Sequence, residues 1–434
     1  MSAGRHHHAV IIGGGIGGLL AAHALADRFE RVTVLERDRY PSDAGSAAPP
    51  PRRGVPQSRC LHLLLAAGAA AFDQLIPQWR KDLVALGATA FDASADAASR
   101  LSGGWLPRTP SGIRTYACSR GLLETVLRRA LADRPTVRVQ EGCKVTGLLG
   151  DRGGKRVTGV RVAARGSGRE TRLMAELVVD ASGTGSKLSR WMAPLLDDGT
   201  EQAEQTVVES GRQFVSRWFH LKAADEPDWH SLAIAPSADT GFRSAMMLRA
   251  ERNRWGVVLL TATGEPLPSD DADFLRFVAE LADGELGKVL GRTRPASPIY
   301  RYGPTASRMM HYDRMTSWPS GLVAIGDSVC MLDPYFGLGM TAAARGAVLL
   351  ANHLDRDGVA ALQGLPFQKE LAALNAEPWQ LVTGHDLDGR ALSRDTAQLG
   401  RAHAMAPSSA QAAHALLAVQ HLLRPAESLK ELAR

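Results

Sequence analysis

His8-Ala-Val-Ile-Ile-Gly13-Gly-Gly15-Ile-Gly17-Gly18-Leu-Leu-Ala-Ala22 passes from an apolar, β-branched run into a glycine cluster and out again into leucine and alanine. A strand, a tight turn and a helix N-terminus follow one another in that order. Gly13, Gly15 and Gly18 satisfy G-x-G-x-x-G, where the first glycine permits the turn, the second admits backbone close to a pyrophosphate and the third lets helix pack on strand. The unpaired N–H groups of the first helical turn then face phosphate oxygens. The pattern predicts a helix over residues 19–28 and a second strand over 32–35, with Glu36 at its end. That acid stands near the roughly 20-residue spacing of a ribose-binding carboxylate. A carboxylate there repels a 2′-phosphate, so the tightly held nucleotide is expected to be NAD-like or FAD.

With 434 residues, 45% hydrophobic and 22% charged, the chain can bury a large core and divide into two or three domains. No apolar run approaches the roughly 18 residues of a membrane span. The longest, residues 61–72, is interrupted by His62 and reads as a buried helix. A strand so near the N-terminus leaves no room for a signal peptide, so a cytoplasmic location is expected. Cys60, Cys118, Cys143 and Cys330 lack metal-finger or Cys-x-x-Cys spacing and read as reduced thiols. The net charge of +6 is spread among interspersed acids and bases, which disfavours a nucleic-acid partner. Three consecutive histidines, His6 to His8, cannot all face one ion from a strand, and no metal site is expected.

Beyond Glu36 and Arg37, a Pro-, Ala- and Ser-rich loop leads to Arg52, Arg53 and Arg59, from which at least one cofactor contact is expected, and then to a helix starting near Cys60. Residues 77–110 read as an excursion from the nucleotide fold. Ser119-Arg120 opens an amphipathic helix, strands follow at 137–139, 144–149 and 157–163, and Leu177-Val-Val-Asp180 is a buried strand. An acid at such a strand end lies at the ligand edge of the sheet or caps the next turn. Residues 214–221, 242–249 and 255–263 read as antiparallel strands of a separate sheet, followed by a helix over 270–281. The chain returns with the apolar strand ending at Gly326-Asp327, then Asp333-Pro334-Tyr335-Phe336-Gly337-Leu-Gly339-Met340 and a helix to about His353; the remainder is mostly helical. Residues around 377–386 could shape a pocket or simply pack.

Three segments together, the glycine turn with Glu36, Asp180-Ala-Ser-Gly183, and Gly326-Asp327 followed by Pro334-x-x-Gly-x-Gly339, resemble the flavoprotein monooxygenases of the para-hydroxybenzoate hydroxylase fold. More closely, Arg53-Gly-Val-Pro-Gln-x-Arg59, Cys118-Ser-Arg120 and His311-Tyr-Asp-Arg-Met-x-x-Trp318-Pro-x-Gly321 are similar to the flavin epoxidases of polyether biosynthesis, the lasalocid and monensin type. That family tends to carry Asn-Pro where this chain has Asp333-Pro334. Trp-x-Trp-x-Ile-Pro, the signature of flavin halogenases, is absent.

The resemblance implies an α/β fold: a Rossmann-type FAD-binding domain (1–76, 111–200 and 303–360), an interleaved antiparallel-sheet substrate domain (77–110 and 201–302) and a helical C-terminal region (361–434). It implies non-covalent FAD, with Gly13, Gly15, Gly17 and Gly18 at the pyrophosphate and Glu36 at the adenosine ribose. Arg37 and Arg59 would lie beside the nucleotide, Val145 at adenine, Arg120 near the ribityl chain and Asp327 on a ribityl hydroxyl. Pro334, Gly337, Gly339 and Met340 would place a helix N-terminus near N1 and O2 of the isoalloxazine. Phe214, Trp218, Met246, Met247, Tyr335 and Phe336 are the substrate-pocket candidates, and no His or carboxylate is placed by motif as a catalytic base. The implied reaction is epoxidation of an alkene in a lipophilic natural-product intermediate through a C4a-hydroperoxyflavin, using O₂ and NADPH or NADH as a transient reductant, or electrons from a separate flavin reductase. Aromatic hydroxylation, flavin-dependent reduction of isoprenoid double bonds, and a non-enzymatic nucleotide-binding escort role are the rivals.

Overall fold

The computed structural model describes residues 6–41, 52, 54–152, 155–164, 169–196, 202–237, 240, 242–281, 284–358, 362–384 and 394–433. Arg53 and the segment His385-Asp386 lie outside the described residues, as do the side chains of His6 and His7.

Five parallel strands form the first sheet, in the order Leu322–Ala324, Leu177–Asp180, His6–Ile12, Phe29–Glu36 and Val137–Glu141. Parallel strands covered on both faces need near-continuous apolar sequence, and Ala9, Val10, Ile11, Val178 and Val179 are fully buried. The first helix is Ile16–Leu25, three residues earlier than its leucines suggest, because Gly13 at φ +99° completes the turn at once. A three-stranded antiparallel sheet, Cys143–Gly150, Val157–Ala164 and Glu170–Met174, shares this core with the helices Arg120–Ala132 and Gly339–Asp357.

An eight-stranded sheet forms the second layer, its longest members Arg212–His220 and Arg254–Ala262 paired antiparallel along nine residues. It recruits Ala97–Leu101 and Gly104–Trp105 from the earlier excursion, whereas Trp79 and Leu83 from that excursion pack in the first core. Val215, Phe219, Met247, Trp255 and Val257 face the helices Asp271–Ala279 and Glu285–Leu290. Their neighbours Phe214, Ser216, Trp218 and Met246 therefore face the other way, toward the nucleotide fold.

Residues 61–72 do not form one helix. A 3₁₀ turn, Pro56–Arg59, is followed by a strand, Leu61–Leu64, and the helix begins only at Ala66. The strand pairs antiparallel with Arg114–Ser119, a partner more than fifty residues away, and that pairing overrides the local leucine pattern. No helix among the described residues is long and apolar enough to cross a membrane.

The C-terminal helices pack on Leu65, Leu338 and Ala342 through an apolar cluster, and one buried histidine adds a helix cap to that contact. Leu65, the N-cap residue of Ala66–Leu75, offers no side-chain acceptor, and His421 Nδ1 instead accepts from the Ala66 N–H at 3.2 Å. Burial lowers the His421 pKa to about 4, so its acceptor nitrogen stays unprotonated. A histidine lowered from 6.5 to 4 contributes full stability above pH 6.5 and loses it as pH falls toward 4, a loss of about 2 kcal/mol by pH 5. Denaturant unfolding at pH 7 and pH 5 is expected to show a decrement in the wild type, to which the other buried histidines also contribute, and one smaller by about 2 kcal/mol in His421→Gln; equal decrements would refute the role.

Candidate nucleotide and flavin site

The glycine turn is held by its own backbone and by Glu36. Gly13 N donates to Leu35 O at 2.9 Å, and Gly14 N donates to Glu36 Oε2 at 2.8 Å. Gly15 caps the first helix without any side-chain hydrogen bond, leaving the first-turn N–H groups for a ligand. A side chain begun at Gly15 would meet only Arg120 Nη2, at 3.9 Å, so the space above the turn is open; one begun at Gly18 would stand 1.9 Å from Gly13 O. Gly17 also serves packing. Its Cα face lies against Ala343 of the Gly339–Asp357 helix and against Gly326, so the absence of a side chain also lets that helix cross closely.

Glu36 is buried and already bonded. Oε1 accepts from Asp38 N at 2.9 Å, and Oε2 also accepts from Arg52 Nη2 at 3.2 Å. A carboxylate has about four lone-pair directions, so one remains for a ribose hydroxyl. Arg52 continues to Glu124 at 3.5 Å, and Glu124 to Arg120 at 2.9 Å. The sequence Glu36, Arg52, Glu124, Arg120 is thus a buried chain of alternating charge with zero net charge. It joins the adenosine end of the expected cofactor site to the ribityl end. Tyr40 closes it from one side, donating to Gly14 O beneath the Arg52 and Arg128 guanidiniums.

Of the two described arginines of the loop, Arg52 is built into the site. Arg59 is exposed and lies 5.1 Å from the Tyr300 ring centre, while its carbonyl accepts from Trp218 Nε1 at 2.9 Å. Arg37 is exposed, and its guanidinium reaches within 4.0 Å of the place a Gly185 side chain would occupy. Val145 is buried in the Cys143–Gly150 strand opposite Val162.

Arg120 links the two ends. Burial raises the Asp327 pKa, and the Arg120 and Arg308 guanidiniums oppose that rise. Asp327 sits in the 3₁₀ turn Gly326–Ser328, directly after the Leu322–Ala324 strand and Ile325. His62 also faces Arg120: burial foremost, then that cation, push its pKa down to about 3. Asp180 is fully buried and caps its own turn, accepting from Ser182 N at 3.0 Å and Ser186 Oγ at 2.5 Å, so it is structural. Glu251, also fully buried, accepts from Ser119 N at 2.9 Å and so ties the second sheet to the N-terminus of the Arg120 helix.

The second helix N-terminus is shaped in the same way. Asp333 Oδ1 accepts from Tyr335 N at 2.9 Å and caps the 3₁₀ turn Pro334–Phe336; Gly337 then takes φ +66°. Around Gly339 nothing stands within 4 Å of an added side chain, while Met340 is buried in the first core. Two open glycine-lined helix N-termini, an acid at the ribose position, and Arg120 with Asp327 between them fit a dinucleotide whose flavin end lies at Gly337–Gly339.

Phe214, Tyr335, Tyr302, Cys60, Leu260 and Val258 form one apolar cluster, with Phe214 stacked on Tyr302 at 4.5 Å. Phe336 meets the Tyr335 ring edge-on. Trp218 shares the sheet face but is locked by its bond to Arg59 O, and Met246 packs toward Phe91 and Ala117. Met247 is not at this face: the period of two along Ser244–Arg249 puts it in the core beneath the helices. Arg52 was expected only as one of three loop arginines, and Glu124, His62, Tyr302 and Arg212 were not singled out from the sequence as site residues. Only Glu124 carried a local signal, four residues after Arg120 on a helix, which is ion-pair spacing.

Comparison with known proteins agrees with this geometry. Residues 6–357 match the family described as FAD binding domain. Protein Rv3254 of Mycobacterium tuberculosis (strain ATCC 25618 / H37Rv) is 33% identical over 362 residues, which is 80% of this chain and 72% of that protein. The fold is similar to the flavin-dependent brominase Bmp2 (TM-score 0.68, 15% identity, 99% and 98% of the two chains). It is also similar to p-nitrophenol 4-monooxygenase PnpA from Pseudomonas putida DLL-E4 (TM-score 0.61, 16% identity, 99% and 96%).

Proposed function

The chain belongs to the family described as FAD binding domain, and on that premise we propose that it is an FAD-dependent monooxygenase that epoxidises an alkene in a lipophilic natural-product intermediate. Bound FAD, once reduced by NADPH or NADH, supplies activation of O₂ and delivery of one oxygen atom to carbon. The residues of the chain bind and orient the cofactor, and they keep the substrate face dry.

The observation that carries the reading is the chemistry of the cluster around Tyr335, which stands in the turn just before Gly337–Gly339. It is aromatic and aliphatic, burial pushes the Cys60 thiol up to about 11 and raises Tyr302 and Tyr335, and the charges beside Tyr335, Arg212 and Asp333, are paired with each other. His62, lowered to about 3, is a poor base. Hydroxylation of a phenol gains from a group that takes the substrate's proton, whereas an alkene needs orientation and exclusion of water. The apolar face suits the alkene.

Incubation of the FAD-loaded protein with NADPH, ¹⁸O₂ and candidate polyene or aromatic substrates, read by mass spectrometry, tests this. One labelled oxygen in an epoxide, or in the ether or diol derived from it, is the expected product. A labelled phenol would establish the hydroxylase, and anaerobic loss of a double bond without label the reductase. Flavin that neither nicotinamide bleaches would require a separate reductase.

A further inference from the structure

Asp333 places a carboxylate at the entrance of the turn that presents Gly337–Gly339. It is 1% exposed. Apart from capping its own turn, it accepts from Thr305 Oγ1 at 3.0 Å through Oδ2, and its N–H donates to Ser307 Oγ at 3.0 Å. A fixed negative charge here opposes the work of the adjoining helix N-terminus, whose N–H groups favour the negative charge that collects on a reduced flavin at N1 and O2.

The second sheet supplies the counter-charge. Arg212 opens the strand Arg212–His220, is itself buried, and brings Nη1 to 3.6 Å from Asp333 Oδ2. Its guanidinium also lies 5.1 Å from the Tyr335 ring centre and 5.6 Å from that of Phe336, the next two side chains of the same turn after Pro334. Its carbonyl accepts from Thr305 N at 2.9 Å, so side chain and main chain hold the same corner. One residue thus grips the turn at three points and comes from the strand that carries Phe214.

We propose that Arg212 is a positioning residue for the flavin turn, neutralising Asp333 so that the helix N-terminus beyond it stabilises the reduced flavin. The proposal rests on FAD occupying this site. It is separable from that reading because retention of FAD is measured first and the reduction equilibrium second.

The experiment compares four FAD-loaded proteins, wild type, Arg212→Gln, Asp333→Asn and the double variant, by anaerobic reductive titration against a reference dye. In Arg212→Gln the uncompensated carboxylate is expected to lower the reduced-to-oxidised ratio at a fixed potential about tenfold, about 30 mV for a two-electron couple. In Asp333→Asn the uncompensated cation is expected to raise it by a similar factor, and the double variant is expected to return to within about threefold of wild type. A purely structural contact would move both single variants in one direction by loosening the turn, with no return in the double variant. That result, or no shift in either single variant, overturns the proposal. Should Arg212→Gln lose its flavin, the other two decide: a raised ratio in Asp333→Asn that returns in the double variant is expected, and any other pair of results overturns the proposal. A wild type that cannot be loaded with FAD would instead end the reading of the site.

Discussion

Gly18→Ala is expected to yield a protein that holds no flavin and is destabilised by about 3 kcal/mol or more, because its new methyl group has no place to go. The added carbon would stand 1.9 Å from Gly13 O and 2.9 Å from Gly13 C, both backbone atoms of the turn itself. Overpacking costs typically about 1–3 kcal/mol when side chains can yield; here the strand-to-helix connection must open. Gly15→Ala is the matched control. Its added carbon meets only the tip of Arg120, at 3.9 Å. Its fold is expected to be intact while FAD affinity falls about ten- to a hundredfold, about 1.4–2.8 kcal/mol, since the methyl group occupies the approach of the pyrophosphate. Denaturant unfolding of the apoproteins and titration of FAD fluorescence separate the two effects. A Gly18→Ala protein as stable as wild type, or a Gly15→Ala protein of unchanged affinity, would contradict this account of the turn.

Glu124→Gln is expected to cost about 3–5 kcal/mol, the usual penalty for removing one partner from a buried ion pair. Glu124 holds Arg52 and Arg120 at once, and all three side chains are buried or nearly so. Without the carboxylate, Arg52 and Arg120 lose the acid they share, and Arg120 loses the contact that aims it past Gly15. Weakened FAD binding is therefore expected to accompany the loss of stability. Because the cost arises from an unmatched buried charge, Glu124→Gln combined with Arg52→Met is expected to recover part of the stability without recovering affinity for FAD. A single variant that loses less than about 1 kcal/mol would show that the four charges do not act as a chain.

Much of this site is local in sequence and was legible there. Gly13, Gly15 and Gly18 lie within six residues, the turn they make is closed by its own backbone, and Glu36 follows one helix and one strand later. Asp327 and Gly337–Gly339 were placed by resemblance, at the end of an apolar strand and the start of a helix. Arg120 and Glu124 are one helical turn apart. The same motif also shows the limit of such reading: that Gly17 lies beside Ala343 depends on where a helix more than three hundred residues later crosses it.

The order strand, glycine turn, helix and acid was determined by neighbouring residues, because steric freedom at glycine and period-two or helical patterning act over a few positions. Long-range pairing decided the rest. The strand Leu61–Leu64 exists because Arg114–Ser119 lies beside it, and Met246 and Met247 differ only in which layer each faces. Arg52 outranks Arg59 because a loop returns it to Glu36, and Arg212 reaches Asp333 only when the second sheet settles on the flavin fold. Charges and side chains so far apart along the chain carry no mutual signal in sequence; their coupling comes from burial in a low-dielectric interior, and only tertiary packing creates it.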